Sequence, residues 1–210
     1  MIYLCLIASL IAASAGAEPQ NKKNRDWILL LPVQFKAEVA DDDAKMLRLL
    51  LRGQTVNDFE TKGIPTVSPV QMSLSETEHG FKLDALQGWD KDVIAKLVER
   101  WKPRYVALIV VEQLESREGA VSTPPGTPPP PGNVLVTDAH LKGWLWDVKN
   151  QKFVFENQDS KVQLKMGRPG PSMKQVTEQN TKAAMEASKG LFKEFLKKLP
   201  TPVKYGLGGG

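Results

Sequence analysis

The side chains best suited to acid–base chemistry near neutral pH are the two histidines of this 210-residue sequence. His140 comes two residues after Asp138, so both side chains would lie on one face of an extended strand. A carboxylate in that position can orient an imidazole as a general base. His79 lies far away in a polar stretch, and no nucleophile motif accompanies either histidine. We therefore interpret Asp138 and His140 as polar residues of a half-exposed strand and predict no catalytic residue.

The remaining polar motifs predict neither a metal site nor a cofactor site. Asp41, Asp42 and Asp43 could bind a hard cation. Carboxylates at the start of a helix are the commoner arrangement, because they complement the positive end of the helix dipole. Cys5 is the only cysteine, and the glycines at 206–210 lack the strand and helix that flank a phosphate-binding loop. We therefore expect no metal and no cofactor.

An aromatic and basic strand face is the first candidate interaction surface. Residues 134–148 alternate in polarity, and one face carries His140, Lys142, Trp144 and Trp146. Indole rings beside a lysine can stack on sugar rings or on bases. The rings can equally be covered by the last helix or by another subunit, which is the interpretation we favour. If another subunit covers the rings, this strand face is itself the functional surface.

A proline-rich loop is the second candidate interaction surface. Residues 117–132 break all periodicity and contain Pro128, Pro129, Pro130 and Pro131. A polyproline stretch is already extended, so little conformational entropy is lost when it docks on a partner. We predict that this loop binds a partner protein; the alternative is a rigid spacer between two strands.

The first residues of the chain predict export. Residues 1–17 carry no charge, and an apolar run is followed by Ser14-Ala15-Gly16-Ala17, which suits signal-peptide cleavage after Ala17. We expect residues 18–26 to form a linker and the mature protein to be periplasmic, either soluble or peripherally attached. Peripheral contact with the outer membrane or peptidoglycan would use the lysines near the end of the chain, which are Lys189, Lys193, Lys197 and Lys198.

Composition favours a globular domain. Apolar residues make up 41% and charged residues 25% of the chain, close to the average of soluble domains. The 28 basic and 24 acidic residues leave a net charge of +4 that is spread along the sequence. A nucleic-acid partner is therefore not predicted, because proteins that bind nucleic acids cluster their basic residues.

Apolar periodicity predicts the strands of a mixed sheet. Residues 27–31 and 105–111 are continuous apolar runs, which are typical of strands buried on both faces, and the second run is the predicted central strand. Residues 64–70 are a short extended run, which Pro65 and Pro69 mark as a peripheral or interrupted strand. Residues 134–148 and 153–164 are typical of a hairpin, with Asn150 at positive φ in its turn.

Helical spacing predicts three helices. The first begins at the carboxylates of Asp41–Asp43 and ends at Lys62-Gly63, and we expect its Gly53 to pack closely on the sheet. Asp90 caps the second helix, and Ser172 with Gln175 forms a capping box for the third. The buried face of the first helix is predicted to begin with Met46, Leu47, Leu50 and Leu51.

These elements together predict a single α/β domain over residues 27–200, with a mixed β-sheet, the order β-α-β-α-β-β-β-α, and helices packed on the sheet. Residues 117–132 are the Pro-rich loop insertion in this domain. Residues 201–210, which end in three glycines, are predicted to be a flexible tail.

The chain resembles a family of bacterial envelope domains. The family includes the periplasmic domain of the curli secretion channel, the penicillin-binding-protein activator lipoproteins and the N-terminal domain of the Tol translocation protein, which has an anticodon-binding-domain-like fold. The resemblance does not extend to lipid anchoring, because Cys5 precedes most of the apolar run. The landmarks are a strand at 28–32, a helix-glycine-strand stretch at 50–67, a strand at 104–110, a hairpin at 145–155 with Asp147-Val148 before its turn, and a final helix that ends at Pro200.

The resemblance implies a role in the envelope without catalysis. We expect an exported assembly or scaffold module that acts through protein–protein contacts, with an envelope protein or a second copy of itself as partner. One alternative is a regulator that binds and activates a cell-wall synthesis enzyme. Another is a hydrolase or small-ligand binder, whose closed pocket would hold Asp138 and His140.

Overall fold

A five-stranded mixed sheet with helices packed on it forms the centre of the computed structural model, which confirms the predicted α/β class but not the predicted order of elements. Two strands precede the first helix, and of the strand predicted at 64–70 the described residues form only a single bridge, between Thr66 and Ile28. The structure describes residues 27–67, 77, 80, 88–119, 134–167 and 172–199. In this part of the chain no helix has a stretch long and apolar enough to cross a lipid bilayer. The strands are β1 (Ile28–Leu30), β2 (Gln34–Phe35), β3 (Tyr105–Gly119), β4 (Val134–Asp147) and β5 (Lys152–Gly167), and the helices are α1 (Asp41–Thr61), α2 (Lys91–Trp101) and α3 (Met173–Lys198).

β3 is the central strand of the sheet, as predicted. The strands β1 and β2 both run parallel to it, with Ile28 opposite Tyr105 and Gln34 opposite Val110. Pro32 lies between the two short strands, because it has no N–H group to donate to the ladder. On its other side β3 pairs antiparallel with β4, and β4 pairs antiparallel with β5.

The antiparallel part of the sheet is longer than the sequence predicts. A bulge between Val111 and Gln113 lets β3 continue to Gly119, which pairs with Val134 of β4. The predicted loop at 117–132 therefore starts too early, since the strand ends only at Gly119. The extension is hard to recognise in the sequence because the residues beyond the bulge are mostly polar and exposed.

The turn between β4 and β5 is held by one buried carboxylate. Asp147 accepts hydrogen bonds from the backbone N–H of Asn150 at 3.0 Å and from its Nδ2 at 2.7 Å. Arg104 donates to the same carboxylate at 2.9 Å. The positive φ of 51° falls on Gln151, so the prediction for Asn150 was wrong. The amide of Asn150 is held by Asp147, and the next residue adopts the left-handed conformation.

The helices α1 and α3 pack on one face of the sheet. Phe59 of α1 meets Phe192 edge-on at 5.0 Å between ring centroids and stacks with Phe195 at 6.1 Å. The predicted capping box of α3 is confirmed, with Ser172 and Gln175 bonding each other reciprocally. The largest core cluster of the protein lies between these two helices and the sheet.

The helix α2 packs on the opposite face of the sheet. The side chain of Asp90 accepts hydrogen bonds from the N–H groups of Asp92 at 3.0 Å and Val93 at 3.1 Å, which confirms the predicted cap. Ile94 and Leu97 are buried against a second, smaller core cluster. Helices on both faces explain why β1 and the first half of β3 are continuously apolar.

The predicted buried face of α1 is correct in part. Leu47 and Leu51 are buried, and the buried stripe continues to Thr55 in steps of four residues. Met46 and Leu50 lie on the outer side of the helix, so their assignment to the core was wrong. The error arises because α1 carries leucines on both sides and periodicity alone does not say which side meets the sheet.

Close packing on a glycine occurs in β4 and not in α1. Gly53 is exposed, and a Cβ added there would meet no atom within 4 Å, so the expected packing of Gly53 on the sheet was wrong. At Gly143 an added Cβ would lie 2.9 Å from Cε1 of Phe195. The missing side chain at Gly143 therefore allows α3 to lie directly on β4.

Candidate interaction surface

The sheet face that carries α2 is divided into an aromatic half and a polar half. Trp144 and Trp146 of β4 lie opposite Leu108 and Val106 of β3, in the aromatic half beneath α2. Beyond the bulge in β3, the same face of β4 carries His140 and other polar residues. The predicted alternation is confirmed from Asp138 to Asp147, whereas residues 134–137 are all buried.

The aromatic half is a packed cluster. The ring of Trp146 lies 4.8 Å from that of Phe153 and 6.1 Å from that of Trp89. Trp89 and Phe153 meet edge-on at 5.0 Å, so the three rings contact one another. Trp144 and Trp146 are each half-buried against the smaller core cluster. Much of the surface of these two rings is therefore buried in contacts within the protein itself.

The helix that covers these tryptophans is not the predicted one. We expected the last helix or another subunit to cover Trp144 and Trp146, but α3 lies on the other face of the sheet. The cover within the chain is α2 together with Trp89. Strand alternation assigns two residues to one face, but it does not say which helix packs on that face.

The polar half is an open groove on the sheet surface. It has a volume of about 340 Å³ and lies across β3, β4 and β5. Cross-strand register places Asp138 opposite Gln163 and His140 opposite Lys161. Its lining is Gln113, Asp138, Ala139, His140, Lys161, Val162 and Gln163.

His140 is held by a carboxylate that the sequence does not pair with it. Its Nε2 lies 2.5 Å from Oδ1 of Asp159 on β5. This hydrogen bond lowers the pKa of Asp159, and the positive charges of Lys161 and Lys142 act in the same direction. Lys142 stands opposite Asp159 in the ladder, so two predicted surface residues, His140 and Lys142, lie beside the same carboxylate.

Asp138, the expected partner of His140, is engaged elsewhere. Its Oδ2 accepts from Arg117 at 2.7 Å and its Oδ1 accepts from Gln163 at 2.7 Å. The closed pocket expected for a hydrolase that would use Asp138 with His140 is therefore not what these residues form. They form an open sheet surface on which neighbouring strands neutralise each other's charges.

The groove lacks the parts of a nucleophilic active site. Its lining residues include no serine, threonine or cysteine that His140 could activate. Within the described ranges, no group of three histidine, cysteine, aspartate or glutamate side chains comes close enough to hold a metal ion.

The most exposed apolar surface lies on α1, where the sequence analysis did not place it. Met46, Leu49 and Leu50 are 40%, 75% and 39% exposed. They surround Gly53 on the side of the helix that faces away from the core, and we call these four residues the outer face of α1. Met173, on α3, is the other large apolar residue with a highly exposed side chain in the described chain.

A signal for this outer face is present in the sequence. Positions 46, 49, 50 and 53 follow the i, i+3, i+4, i+7 spacing of one helical face, opposite the buried positions 47, 51 and 55. The two stripes are hard to tell apart in the sequence because Leu50 and Leu51 are adjacent. A helix with two apolar stripes is expected to bury one in its own core and offer the other to a partner.

The lysines predicted for peripheral contact lie on the exposed side of α3. Lys189 pairs with Glu186 at 2.7 Å and Lys197 with Glu194 at 2.5 Å. The bond from Lys189 lowers the pKa of Glu186. This side of the helix is thus a mixed-charge surface. His79 and the four prolines from Pro128 to Pro131 lie outside the described residues.

Comparisons with known proteins find a similarity of fold and none of sequence family. No protein-family model matches the sequence, and no curated protein sequence matches it. A solved structure described as a putative neuraminyllactose-binding hemagglutinin homolog from Helicobacter pylori is 13% identical, with a TM-score of 0.51 over 84% of this chain and 88% of that one. At that identity the similarity establishes the fold alone.

Bacterial lipoproteins also occur among the structural neighbours. Lipoprotein GNA1162 from Neisseria meningitidis is 13% identical, with a TM-score of 0.43 over 81% of this chain and 97% of that one. The LpoB C-terminal domain from Salmonella enterica is 12% identical, with a TM-score of 0.39 over 69% of this chain and 86% of that one.

Proposed function

We propose that this protein is a non-catalytic, exported component of the cell envelope that works by binding another envelope protein. The observation that carries the proposal is the outer face of α1, with Met46, Leu49 and Leu50 exposed around Gly53. Contiguous exposed apolar side chains on a polar protein surface mark contact sites, because their exposure to water is unfavourable unless a partner covers them.

The outer face is presented by a rigid helix. Arg48 donates to the carbonyl of Val33 at 3.0 Å, and Thr55 lies 3.4 Å from Ser188 of α3. Phe59 is fully buried at the far end of the helix. A side of α1 that is fixed in this way loses little entropy when a partner docks on it.

The partner that fits best is an amphipathic helix with basic residues beside its apolar stripe. Two turns of apolar side chains match the helix-in-groove mode of recognition. The first turn of α1 adds Asp41, Asp42 and Asp43, which are exposed or nearly so. These carboxylates favour a partner that carries lysine or arginine at the matching end.

The proposed location follows from the first residues of the sequence and from the fold. The uncharged run at 1–17 followed by small residues is typical of an export signal. The envelope setting makes a protein partner more plausible than a nucleic acid, and the open groove at His140 offers no activated nucleophile in its lining. Binding is therefore the activity that the described surface supports.

Affinity capture from envelope extracts tests the proposal. The Leu49→Glu variant places a charge at the centre of the outer face and should lose its partner, while the folded state is unaffected because Leu49 is 75% exposed. Met173→Glu is the matched control, since it puts the same charge on another exposed apolar residue and should keep the partner.

The result also separates the two protein-binding interpretations. Equal capture by wild type, Leu49→Glu and Met173→Glu would refute a role for the outer face. Capture of a single cell-wall synthase by a monomeric protein would support the regulator in place of the assembly module.

A further inference from the structure

We propose that β5 pairs antiparallel with β5 of a second copy, which joins the two sheets into one across a two-fold axis. This inference deepens the proposed function, on which it rests, by naming a self-contact in addition to the partner of α1. Three features of β5 point to this contact: its open edge, its half-covered apolar side chains and the distribution of charges along it.

The outer edge of β5 carries no strand within the part of the chain that the structure describes. β5 pairs with β4 on one side only, and it runs over Lys152–Gly167. A residue with positive φ, Asn157, marks an irregularity near its middle. From Gln158 onward the strand is regular, and it presents a continuous row of backbone N–H and C=O groups that can pair with another strand.

Apolar side chains along this edge are only partly covered. Val162 and Leu164 face α3 and the main core, yet both remain partly exposed. Ala139, which lies opposite Val162 on the inner strand β4, is buried. Val162 and Leu164 stay partly exposed because no strand lies on their outer side, and a further strand beyond β5 would bury them.

Charge selects one register for pairing between two copies. With Val162 opposite Val162 of the partner copy, Asp159 faces Lys165 and Lys161 faces Gln163 across the interface. Gln158–Met166 then pair throughout the regular segment, and the apolar residues stay on the side of α3. Like charges face each other nowhere in this register.

The neighbouring registers either place like charges opposite each other or interrupt the pairing. A shift that centres the pairing on Lys161 puts two lysines directly opposite each other, and one centred on Gln163 puts Lys161 opposite Lys165 twice. A shift by a single residue would turn the apolar side chains to the polar face. A pairing centred on Ser160 runs into the irregularity at Asn157 after a few residues.

Asp159 can bind His140 of its own chain and face Lys165 of the second copy at the same time. It uses Oδ1 for His140, and its side chain is 53% exposed. In the proposed register its carboxylate is the only acidic group among the paired positions, and by symmetry it contributes two ion pairs to the interface. A strand that carries lysines would otherwise resist edge pairing, so Asp159 is what makes β5 complementary to itself.

Sedimentation equilibrium of the full chain tests the register. Asp159→Lys places a lysine opposite Lys165 and should weaken the dimer by about tenfold. The charge-swapped double variant Asp159→Lys with Lys165→Asp should return the dissociation constant to within about threefold of wild type. Glu115→Lys is the matched control, since it makes the same charge change on the same sheet face of the inner strand β3 and should leave dimerisation unchanged.

Cross-linking gives a second and independent readout. In a Cys5→Ser background, Asp159→Cys combined with Lys165→Cys should yield a covalent dimer under mild oxidation, because facing residues of antiparallel strands lie within disulfide reach. The single variant Glu115→Cys should not. Six positions separate 159 from 165 along one strand, so an intrachain bridge is ruled out by distance.

Each outcome decides the inference. A wild-type protein that is strictly monomeric at high concentration overturns it, and so does a dimer that ignores Asp159→Lys and fails to cross-link. Either result leaves the proposed function intact if the Leu49→Glu variant still loses its partner. If Leu49→Glu instead captures as much partner as the wild type while the dimer persists, the proposed partner of α1 is refuted and the self-contact is kept.

Discussion

At the scale of single residues, packing between α3 and β4 depends on the absence of one side chain. A Cβ at Gly143 would lie 2.9 Å from Phe195 and 3.2 Å from Leu191. We expect Gly143→Ala to lower the free energy of unfolding by about 1–3 kcal/mol, because the core must shift to admit a methyl group. Urea denaturation followed by tryptophan fluorescence measures this change.

Gly53→Ala is the matched control for that experiment. Gly53 lies inside α1 with no atom within 4 Å of an added Cβ, so alanine should raise stability by about 0.5–1 kcal/mol through helix propensity. Equal effects of the two substitutions would contradict the close contact at Gly143.

A second prediction at the residue scale concerns the ion pair of His140. The hydrogen bond from His140 lowers the pKa of Asp159 in the folded protein. A depressed carboxylate pKa stabilises the fold above the ordinary aspartate value of about 3.9, and this contribution is lost as pH falls through the folded value. We expect His140→Gln to raise the pKa of Asp159 and to reduce the loss of stability in that acidic window.

Two measurements check this effect. Carboxyl resonances followed by NMR report the pKa of Asp159 directly, and denaturation at several pH values reports the linked stability. An unchanged pKa in His140→Gln would show that the hydrogen bond does not hold the carboxylate in its ionised form.

At the scale of elements, the β4–β5 hairpin depends on Asp147. This carboxylate is 7% exposed and binds both Arg104 and Asn150. Asp147→Ala removes the carboxylate from a half-buried guanidinium and frees the turn, so we expect the free energy of unfolding to fall by about 3 kcal/mol. Asp147→Asn keeps an oxygen acceptor for the turn and should lower the free energy of unfolding by less. Thermal unfolding of both variants measures the difference, and equal losses would show that the turn bonds contribute nothing.

Boundaries of elements were harder to predict than their existence. The apolar runs at 27–31 and 105–111 became strands because burial on both faces requires continuous apolar sequence. The second half of β3 was missed because there the strand is buried mainly on one side, and its pairing with β4 is secured by register after a bulge. The sequence beyond the bulge therefore lacks the apolar alternation that would predict a strand.

At the scale of the whole molecule, the loop between β3 and β4 can be tested without disturbing the sheet. Gly119 and Val134 are paired, so the ends of the loop are already adjacent. Replacing residues 121–132 by a short glycine-serine loop should leave Tm unchanged, because the hairpin still closes. If Pro128 to Pro131 bind a partner, capture of that partner should fall in this variant.

Unchanged capture would assign the loop the role of a spacer. It would leave the outer face of α1 as the contact site, and the Leu49→Glu variant would then carry the whole test of the proposed function.

Candidate surface residues were predictable in part. Alternation placed His140, Lys142, Trp144 and Trp146 on one face, and the structure confirms that arrangement. It also shows the two tryptophans packed under α2, whereas the exposed apolar residues lie on α1. An apolar residue in a helix has the same local sequence signal whether it contacts the core or a partner. The spacing of residues therefore does not reveal which apolar side chains are exposed.

The sequence by itself determined what depends on near neighbours along the chain: the buried strands, the caps at Asp90 and Ser172, and the alternation of β4. Only the tertiary structure decided which helix covers which sheet face and that His140 meets Asp159 in place of Asp138. Periodicity and capping are local properties, whereas these contacts join residues from different elements. They are fixed by strand register, bulges and helix placement, which no short stretch of sequence contains.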